Sequence, residues 1–379
     1  MPSLRDARFR AHPQIELRQL GELSADEREP FRELERDADF YGLFVPKPPL
    51  RMNVKSVNRQ GAELFRRLST PSRLDPISDE IVDLVLDGIL EVENGGEFVS
   101  GADALMMMTG SLTGEGACPP AGGPAQLSRD ALLHAQDLES SDPDELTLAL
   151  YFYNCIPISP FWKSRFASPG KVLTHLGADR GALRRLLESA WIFSAEMPGW
   201  LLWSSKFAAP QGADQVTCKL YVSPHPERIH DAFEIVVRVL SDSPATAFKI
   251  GDCAAGMLRP DKLVAYFTAR EPLVDAAEKL RRELAGCDAH GVPFSAGIDE
   301  RGLLSWGVDP PDTDRALQWL GRDSWRLWVA RRLGAALSVA RSARTAAAVE
   351  PWRFAIERAR RHGVDVETWT PGAALWSSS

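Results

Sequence analysis

The sequence predicts an α+β protein with a mainly antiparallel central sheet flanked by helices and a mostly helical N-terminal region. Three short runs alternate in hydrophobicity as strands do: CKLYVS (218–223), AFKIG (247–251) and KLVAYF (262–267). Amphipathic helical stretches follow the first and third runs, PERIHDAFEIVVRVLSDSP and EPLVDAAEKLRRELAG. Strands and helices therefore mix, but no glycine-rich dinucleotide fingerprint follows a strand. This pattern favours α+β over a Rossmann sheet.

The N-terminal residues carry start signals for helices and one hairpin signal. Ser24 and Ser78 stand where helix N-caps are expected, and an apolar stripe follows Ser78. Segments ILEVE and EFVSG flank Asn94-Gly95-Gly96, a turn-forming sequence that predicts a hairpin.

One stretch marks a boundary between domains. Residues 109–128, TGSLTGEGACPPAGGPAQLS, are rich in Gly, Pro, Ser and Thr, which is typical of a loop. We predict an N-terminal recruitment region over 1–115, a linker over 116–128 and a second α+β domain over 129–379.

Composition narrows the class of protein. A net charge of −8 over 379 residues argues against a broad nucleic-acid surface. The five cysteines include no CxxC pair, which predicts reduced thiols, a cytoplasmic location and no structural zinc. No apolar run reaches the length of a membrane span, and the first residues lack the apolar core of a secretory signal. We therefore expect no membrane partner.

The first strand carries reactive side chains on one face. Lys219, Tyr221 and Ser223 are two residues apart, so they share a face of the strand. Cys218 points to the opposite face, and we expect it in the core. His225 follows in the turn, where a solvated surface position and a catalytic role are both open.

Other cationic and phenolic groups belong to the same predicted sheet. Lys249 interrupts the apolar run AFKIG, Arg259 precedes the third strand and Tyr266 lies within it. Together with Lys219 these residues would form a cationic pocket with proton-transfer groups, which suits a phosphate ester. The alternative is that Lys219 and Lys249 are edge-strand lysines that discourage aggregation.

Several familiar site signatures are absent from the sequence. It contains no GxxxxGK[ST], GxGxxG, HExxH, GxSxG or protein-kinase series. We therefore predict no nucleotide cofactor and no metal.

Four sequence blocks carry a resemblance to known families. In order, they resemble blocks of the phosphothreonine lyase effectors of enteric pathogens and of the HopA-type family of type III effector-like proteins. Relatives of the HopA-type family act in class V lanthipeptide and thioamitide biosynthesis. The likeness to the HopA-type family extends over most of the chain, because EIVDLVLDGILEVENGGEFVSGADAL and YFYNCIPISP are also similar. The four blocks are CKLYVS, AFKIG, LRPDKLVAYF and GVPFSAGIDERGLLSWGVDPP.

The resemblance implies a carbon–oxygen lyase that removes phosphate from phosphothreonine or phosphoserine by metal-independent β-elimination. By position, Lys249 would be the base that takes the α-proton. Lys219 would bind or neutralise phosphate, Arg259 would clamp it, and Tyr266 matches a tyrosine on the following strand.

The sequence departs from the lyase effectors at the general acid. Tyr221 stands where those proteins have a histidine, and a phenol is a weaker acid than an imidazolium. His225 is the alternative donor. The nearest match to a second phosphate-binding arginine is Arg301.

The resemblance therefore implies an enzyme that converts phosphorylated residues of a ribosomal precursor peptide into dehydroalanine or dehydrobutyrine. A separate kinase would supply the phosphate, because the chain lacks nucleotide motifs, and the N-terminal region would recruit the leader peptide or that kinase. A non-catalytic HopA-like effector, a phosphopeptide-binding protein and a structural scaffold are the alternatives.

Overall fold

The computed structural model describes residues 4–29, 31, 34, 37–110, 123–208, 217–310, 323–343 and 349–372. The α-helices in these residues are α1 (Ala25–Arg28), α2 (Arg59–Arg67), α3 (Asp79–Leu86), α4 (Leu105–Thr109), α5 (Gly123–Asp137), α6 (Pro143–Tyr151), α7 (Pro160–Arg165), α8 (Pro169–His175), α9 (Gly181–Ala190), α10 (Ile229–Ser241), α11 (Ala254–Met257), α12 (Arg270–Glu283), α13 (Trp325–Arg341) and α14 (Pro351–Arg361).

The strands in the described residues are mostly short. They are β1 (Arg8–Ala11), β2 (Ile15–Arg18), β3 (Phe40–Pro46), β4 (Lys55–Asn58), β5 (Ser72–Arg73), β6 (Leu90–Asn94), β7 (Glu97–Val99), β8 (Trp191–Ser194), β9 (Trp200–Ser205), β10 (Cys218–Val222), β11 (Ala247–Gly251), β12 (Leu263–Phe267), β13 (Ala296–Gly297), β14 (Leu304–Val308), β15 (Val364–Asp365) and β16 (Thr370–Pro371).

A seven-stranded sheet forms the centre of the fold. Its strand order is β13-β14-β10-β12-β11-β9-β8, and every neighbouring pair is antiparallel. The three strands predicted from the sequence are β10, β12 and β11, and they lie next to one another in the middle of this sheet. The predicted α+β class with a mainly antiparallel central sheet is confirmed.

One face of the central sheet is apolar and packs against helices. Leu220, Phe248 and Ala265 point to this face and share a hydrophobic core with residues of α9, α10 and α12. Cys218 is buried in the same core, as its position in the alternating strand predicts. The opposite face is therefore the one that carries the polar side chains of these strands.

The N-terminal region contains more strand than the sequence predicts. Two small antiparallel sheets, β5-β1-β6-β7 and β2-β3-β4, accompany its helices. The predicted hairpin is present as β6 and β7, with Asn94 paired to Glu97, and Ser78 caps α3 by accepting a hydrogen bond from the Ile81 amide. Most of these strands have only two to five residues, too few to show a clear alternation.

A second hydrophobic core joins the N-terminal region to the C-terminal helices. Phe9 and Leu105 pack in one cluster with Leu146 of α6 and Leu333 of α13. Of the predicted linker, residues 116–122 lie outside the described residues, and residues 123–128 form the start of α5. The division at 116–128 stays a prediction.

Three general features of the described residues bear on function. Within the described ranges, no helix is both long and apolar enough to cross a bilayer. Cys155, Cys218, Cys253 and Cys287 are free thiols. Over the same ranges, no cluster of three or more His, Cys, Asp or Glu side chains has an arrangement that could hold a metal ion.

Two glycines bring the end of β11 against α11. A Cβ built on Gly251 would lie 2.3 Å from the carbonyl carbon of Gly256, and one built on Gly256 would lie 2.8 Å from the Cα of Gly251. Both distances are shorter than real Cβ contacts, so only glycine fits this approach. The contact shapes the chain between Lys249 and Arg259.

We predict that Gly251→Ala destabilises the protein, because the new methyl group meets backbone that has no room to move. Overpacking of this kind typically costs about 1–3 kcal/mol. Gly170→Ala is the matched control, since nothing lies within 4 Å of its Cβ position in α8. Urea denaturation measures both variants. Equal midpoints for Gly251→Ala and Gly170→Ala would contradict the prediction.

Candidate active site

The register of the central sheet brings the predicted residues onto one face. Lys219 of β10 lies opposite Tyr266 of β12. In the next row, Tyr221 lies opposite Val264, and Val264 lies opposite Lys249 of β11. Directly paired residues of antiparallel strands point to the same side. Two lysines and two tyrosines from three adjacent strands therefore share the face that turns away from α10 and α12.

Lys249 lies among aromatic and apolar side chains. Its Nζ is 4.1 Å from the ring centroid of Trp200, 5.8 Å from that of Tyr266 and 3.9 Å from the sulfur of Met197. Burial, and then the positive charge of Lys219, lower the pKa of Lys249 to about 8. A substantial fraction of this amine is therefore neutral near pH 8 and able to accept a proton.

Arg259 is held by a carboxylate and a phenol. Its Nε and Nη2 donate to the two oxygens of Asp261 at 2.8 and 2.9 Å, and Nη2 also donates to the Tyr151 hydroxyl at 2.9 Å. Burial works against the charge of Arg259, but Asp261 outweighs it and raises the pKa of the guanidinium. The remaining guanidinium nitrogen of Arg259, Nη1, makes no hydrogen bond to any described residue.

A second arginine holds the other side of the same carboxylate. Arg326 of α13 donates from Nη1 to Asp261 Oδ2 at 2.6 Å and from Nη2 to the Tyr151 carbonyl at 3.0 Å. Burial alone would raise the pKa of Asp261, but Arg326 and then Arg259 hold it below its ordinary value. Arg259, Asp261, Arg326 and Tyr151 thus form one connected group, which we call the arginine clamp.

Lys219 and Tyr266 form the other end of the site. Lys219 makes an ion pair with Asp309, just after β14, and its Nζ lies 5.7 Å from the Tyr266 ring centroid. Burial, followed by the charge of Asp309, raises the pKa of Tyr266. Tyr266 therefore stays protonated at neutral pH and can donate a hydrogen bond.

Tyr221 lies deepest of the predicted residues. Its side chain is buried against Val264 and Val292, and its hydroxyl has no hydrogen-bond partner among the described residues. Burial raises the pKa of Tyr221 well above its ordinary value. Tyr221 therefore stays a protonated phenol that is able to donate a hydrogen bond, in a buried position where an unpaired hydroxyl is costly.

Two predicted residues lie away from this group. Arg301 is exposed in the turn before β14, and its charge acts on Cys287, in the core on the helical side of the sheet. His225 lies in the turn after β10, with its ring centroid 6.4 Å from that of His290. The structure records no contact of either side chain with Lys249 or Arg259.

Sequence reasoning missed several residues of the site. Asp261 stands two residues after Arg259 in RPDK, and this spacing could have indicated the pair. Arg326 gave no signal, because the contact spans 65 residues of sequence. Trp200 is a further residue of the site, partly exposed beside Lys249.

A buried lysine next to the site was also missed. The Nζ of Lys262 donates to the Pro224 carbonyl at 3.0 Å and lies 2.8 Å from Nδ1 of His290. Burial lowers the pKa of Lys262 to about 7, an effect that neighbouring Asp261 opposes. The apolar pattern of KLVAYF does not show that Lys262 is buried, because an exposed lysine at the start of a strand would give the same pattern.

We predict that Asp261→Asn destabilises the protein by about 3 kcal/mol or more, because it leaves two closely placed guanidinium groups without their shared carboxylate. Asp231→Asn is the matched control, since Asp231 pairs with Arg228 on the surface at 3.4 Å. The control should change the free energy of unfolding by only about 0.5 kcal/mol. Urea denaturation that gives the same loss for both variants would contradict the structural role of Asp261.

Comparison with known proteins gives structural likenesses alone. No protein-family profile and no curated protein sequence matches the chain. An effector protein from Pseudomonas syringae pv. tomato aligns at a TM-score of 0.40 and 13% identity, over 66% of this chain and 98% of that one. An effector from P. syringae pv. syringae gives 0.36 and 13% over the same shares.

A third likeness is to the type III effector and phosphothreonine lyase OspF from Shigella flexneri. Its TM-score is 0.28 with 16% identity, over 34% of this chain and 76% of that one. All three TM-scores lie below 0.5, so these proteins are distant likenesses. These structural likenesses therefore carry no argument about the function of this chain.

Proposed function

We propose that this protein is a phosphoserine/phosphothreonine lyase that eliminates phosphate from a phosphorylated ribosomal precursor peptide. The observation that carries the proposal is Lys249, an amine of lowered pKa on the same sheet face as Lys219, whose Nζ and the Arg259 guanidinium both lie close to the Trp200 ring. A base and two cations are what removal of a weakly acidic α-proton and departure of a phosphate need. The order of the sequence blocks, which resembles that of phosphothreonine lyases, supports the same reaction.

In this reaction Lys249 begins as a neutral amine and takes the proton from the α-carbon of the phosphorylated residue. The electron pair of the broken Cα–H bond forms the Cα=Cβ double bond, and the Cβ–O bond breaks toward phosphate. Lys249 ends as an ammonium, and the oxygen that leaves Cβ takes a proton from a phenol of the site or from solvent. The products are therefore HPO4²⁻ and a dehydroalanine or dehydrobutyrine residue. Water is not consumed, and the charge that develops is met by side chains of the site.

The phosphate is bound by Lys219 and Arg259 in this proposal. Arg259 keeps two of its nitrogens on Asp261 and presents the remaining Nη1, so the arginine clamp aims the guanidinium. Lys219 exchanges part of its pairing with Asp309 for the phosphate dianion. The charge-assisted hydrogen bonds that result are the strong kind.

The hydroxyl groups of Tyr221 and Tyr266 supply hydrogen bonds to the leaving oxygen or the phosphate. Their raised pKa values keep both phenols protonated over the working pH range. Phosphate is a fair leaving group, so donation of a hydrogen bond meets much of the need that a histidine acid would meet. His225 and Arg301 stay predictions as the alternative acid and as a second phosphate ligand.

The partners of the proposed enzyme follow from its chemistry. The substrate is a precursor peptide with leader and core, phosphorylated by a separate kinase, and residues 1–115 recruit the leader or the kinase. Free thiols are consistent with work in the cytoplasm. The dehydro residues formed are electrophilic and accept a cysteine thiol, as lanthipeptide and thioamitide pathways require.

A second candidate function is phosphopeptide binding without catalysis. It is favoured by one observation, that Lys219 and Arg259 both already hold carboxylate partners while a tyrosine stands at the acid position. Such a protein would bind a phosphopeptide and release no phosphate.

We predict that Lys249→Ala lowers the rate of elimination by at least about a hundredfold, the usual effect of losing a general base. Intact-peptide mass spectrometry of a phosphorylated precursor peptide should show loss of phosphoric acid with the unaltered protein only. The control is Lys171→Ala, because Lys171 is exposed on α8. Loss of a metaphosphate unit, which marks hydrolysis, would contradict the lyase assignment, and unchanged peptide with kinase and leader present would favour the binding protein.

We predict that kcat/KM rises about tenfold per pH unit below about pH 8 and then levels off, because the ammonium form of Lys249 cannot accept a proton. The substrate phosphate is already a dianion above about pH 6, so this rise belongs to the enzyme. Lys219→Ala should move the midpoint to higher pH, since the charge of Lys219 lowers the pKa of Lys249. A flat profile, or a midpoint that Lys219→Ala leaves in place, would contradict Lys249 as the base.

A further inference from the structure

Two apolar side chains are exposed beside the cations of the candidate active site. Phe152 directly follows α6 and is 44% exposed, and Met197, in the turn between β8 and β9, is 38% exposed. The Phe152 ring centroid lies 5.3 Å from the guanidinium carbon of Arg259, and the Met197 sulfur lies 3.9 Å from the Nζ of Lys249. Large apolar groups left in water next to a charged centre mark an interaction surface.

Trp200 makes these two side chains part of one surface. Its partly exposed ring lies 4.1 Å from the Nζ of Lys249 and 5.4 Å from the guanidinium carbon of Arg259. Phe152, Trp200 and Met197 therefore border both cations on the apolar side, and we call them the apolar rim. On the far side of Lys249 the site is polar, with Lys219 and its carboxylate partner.

The position of Phe152 is fixed by the arginine clamp. Tyr151 precedes it and packs against its ring at 5.2 Å between centroids. The Tyr151 hydroxyl accepts from Arg259, and its carbonyl accepts from Arg326. Phe152 is thus an exposed aromatic ring held in place by buried charge. Because the ring is already ordered, binding a ligand against it costs less side-chain entropy.

We propose that the apolar rim binds an aliphatic or aromatic side chain next to the phosphorylated residue, so that the protein prefers extended peptides with apolar neighbours at that position. The proposal rests on the proposed function, which places the phosphate at Lys219 and Arg259 and the α-carbon at Lys249. With those groups in place, the adjoining residue of the peptide lies over Phe152, Trp200 and Met197.

Two physical effects favour an apolar neighbour. Burial of an aliphatic side chain against the rim stabilises the complex through the hydrophobic effect. The same side chain excludes water from Lys249 and so disfavours its ammonium form. An acidic neighbour would gain less, because Asp261 and Asp309 already offset the charges of Arg259 and Lys219.

The test compares phosphothreonine peptides that differ only in the two residues flanking the phosphorylated one, leucine in one peptide and aspartate in the other. The full-length protein should show about tenfold higher kcat/KM for the leucine peptide, measured by loss of phosphoric acid. In the double variant that combines Phe152→Ala with Met197→Ala, the ratio of kcat/KM for the leucine peptide to that for the aspartate peptide should fall to about twofold or less. Phe207→Ala is the matched control: Phe207 is 80% exposed, and the structure records no contact with Lys249 or Arg259. It should keep the full ratio.

A preference for the aspartate peptide, or a leucine preference that survives the double substitution, would overturn the proposal. Fluorescence anisotropy with the same labelled peptides separates it from the proposed function. In one outcome neither peptide loses phosphate, the leucine peptide still binds about tenfold tighter, and the double substitution removes this difference. That outcome contradicts the lyase assignment but supports the apolar rim as a binding site. Equal binding of both peptides without elimination overturns both.

Discussion

The carboxylate of Asp261, buried between two arginines, is the interaction on which the rest of the site depends. It lies between Arg259 of the β11–β12 connection and Arg326 of α13, with Tyr151 at the end of α6 bonded to both. Buried charges of this kind are stable only when they are paired and hydrogen-bonded. The clamp therefore ties the central sheet to α6 and α13, whose buried apolar residues belong to the second hydrophobic core. One carboxylate thus positions the Arg259 guanidinium, which we propose binds phosphate, together with an exposed aromatic ring and two parts of the fold.

The two faces of the central sheet differ in polarity: one packs in the hydrophobic core and the other carries the candidate site. Because side chains alternate along a strand, most apolar residues of β10, β11 and β12 turn toward the helices, while Lys219, Tyr221 and Lys249 turn the other way. A lysine that extends from such a sheet into aromatic surroundings loses water, and a second lysine in the next row adds repulsion. Both effects lower the pKa of Lys249 toward the range in which an amine acts as a base. The chemistry proposed for this protein follows from the alternation of the strands, with Gly251 and Gly256 setting the course of the chain between Lys249 and Arg259.

How far the sequence predicted this arrangement depends on how local each feature is. The three central strands, the shared face of Lys219 and Tyr221 and the burial of Cys218 were predictable, because a period of two is written in adjacent residues. Apart from the β6–β7 hairpin, the two N-terminal sheets were not predictable, since strands such as β5 with two residues leave no pattern. The pairing of Lys219 with Asp309 and of Asp261 with Arg326 joins residues 90 and 65 positions apart, which no local pattern records. The sequence therefore predicted the cationic and phenolic side chains of the candidate site but not the carboxylates that pair with them.

The most direct test of the proposed elimination follows the α-proton itself. A phosphothreonine peptide carrying deuterium at the α-carbon is incubated with the full-length protein. The mass of the product is measured by mass spectrometry, and its rate of formation is compared with that from the protiated peptide. The account predicts a product that has lost the deuterium together with the phosphate, formed more slowly than from the protiated peptide when proton removal limits the rate. A dephosphorylated product that keeps its deuterium would mean hydrolysis at phosphorus and would contradict the account.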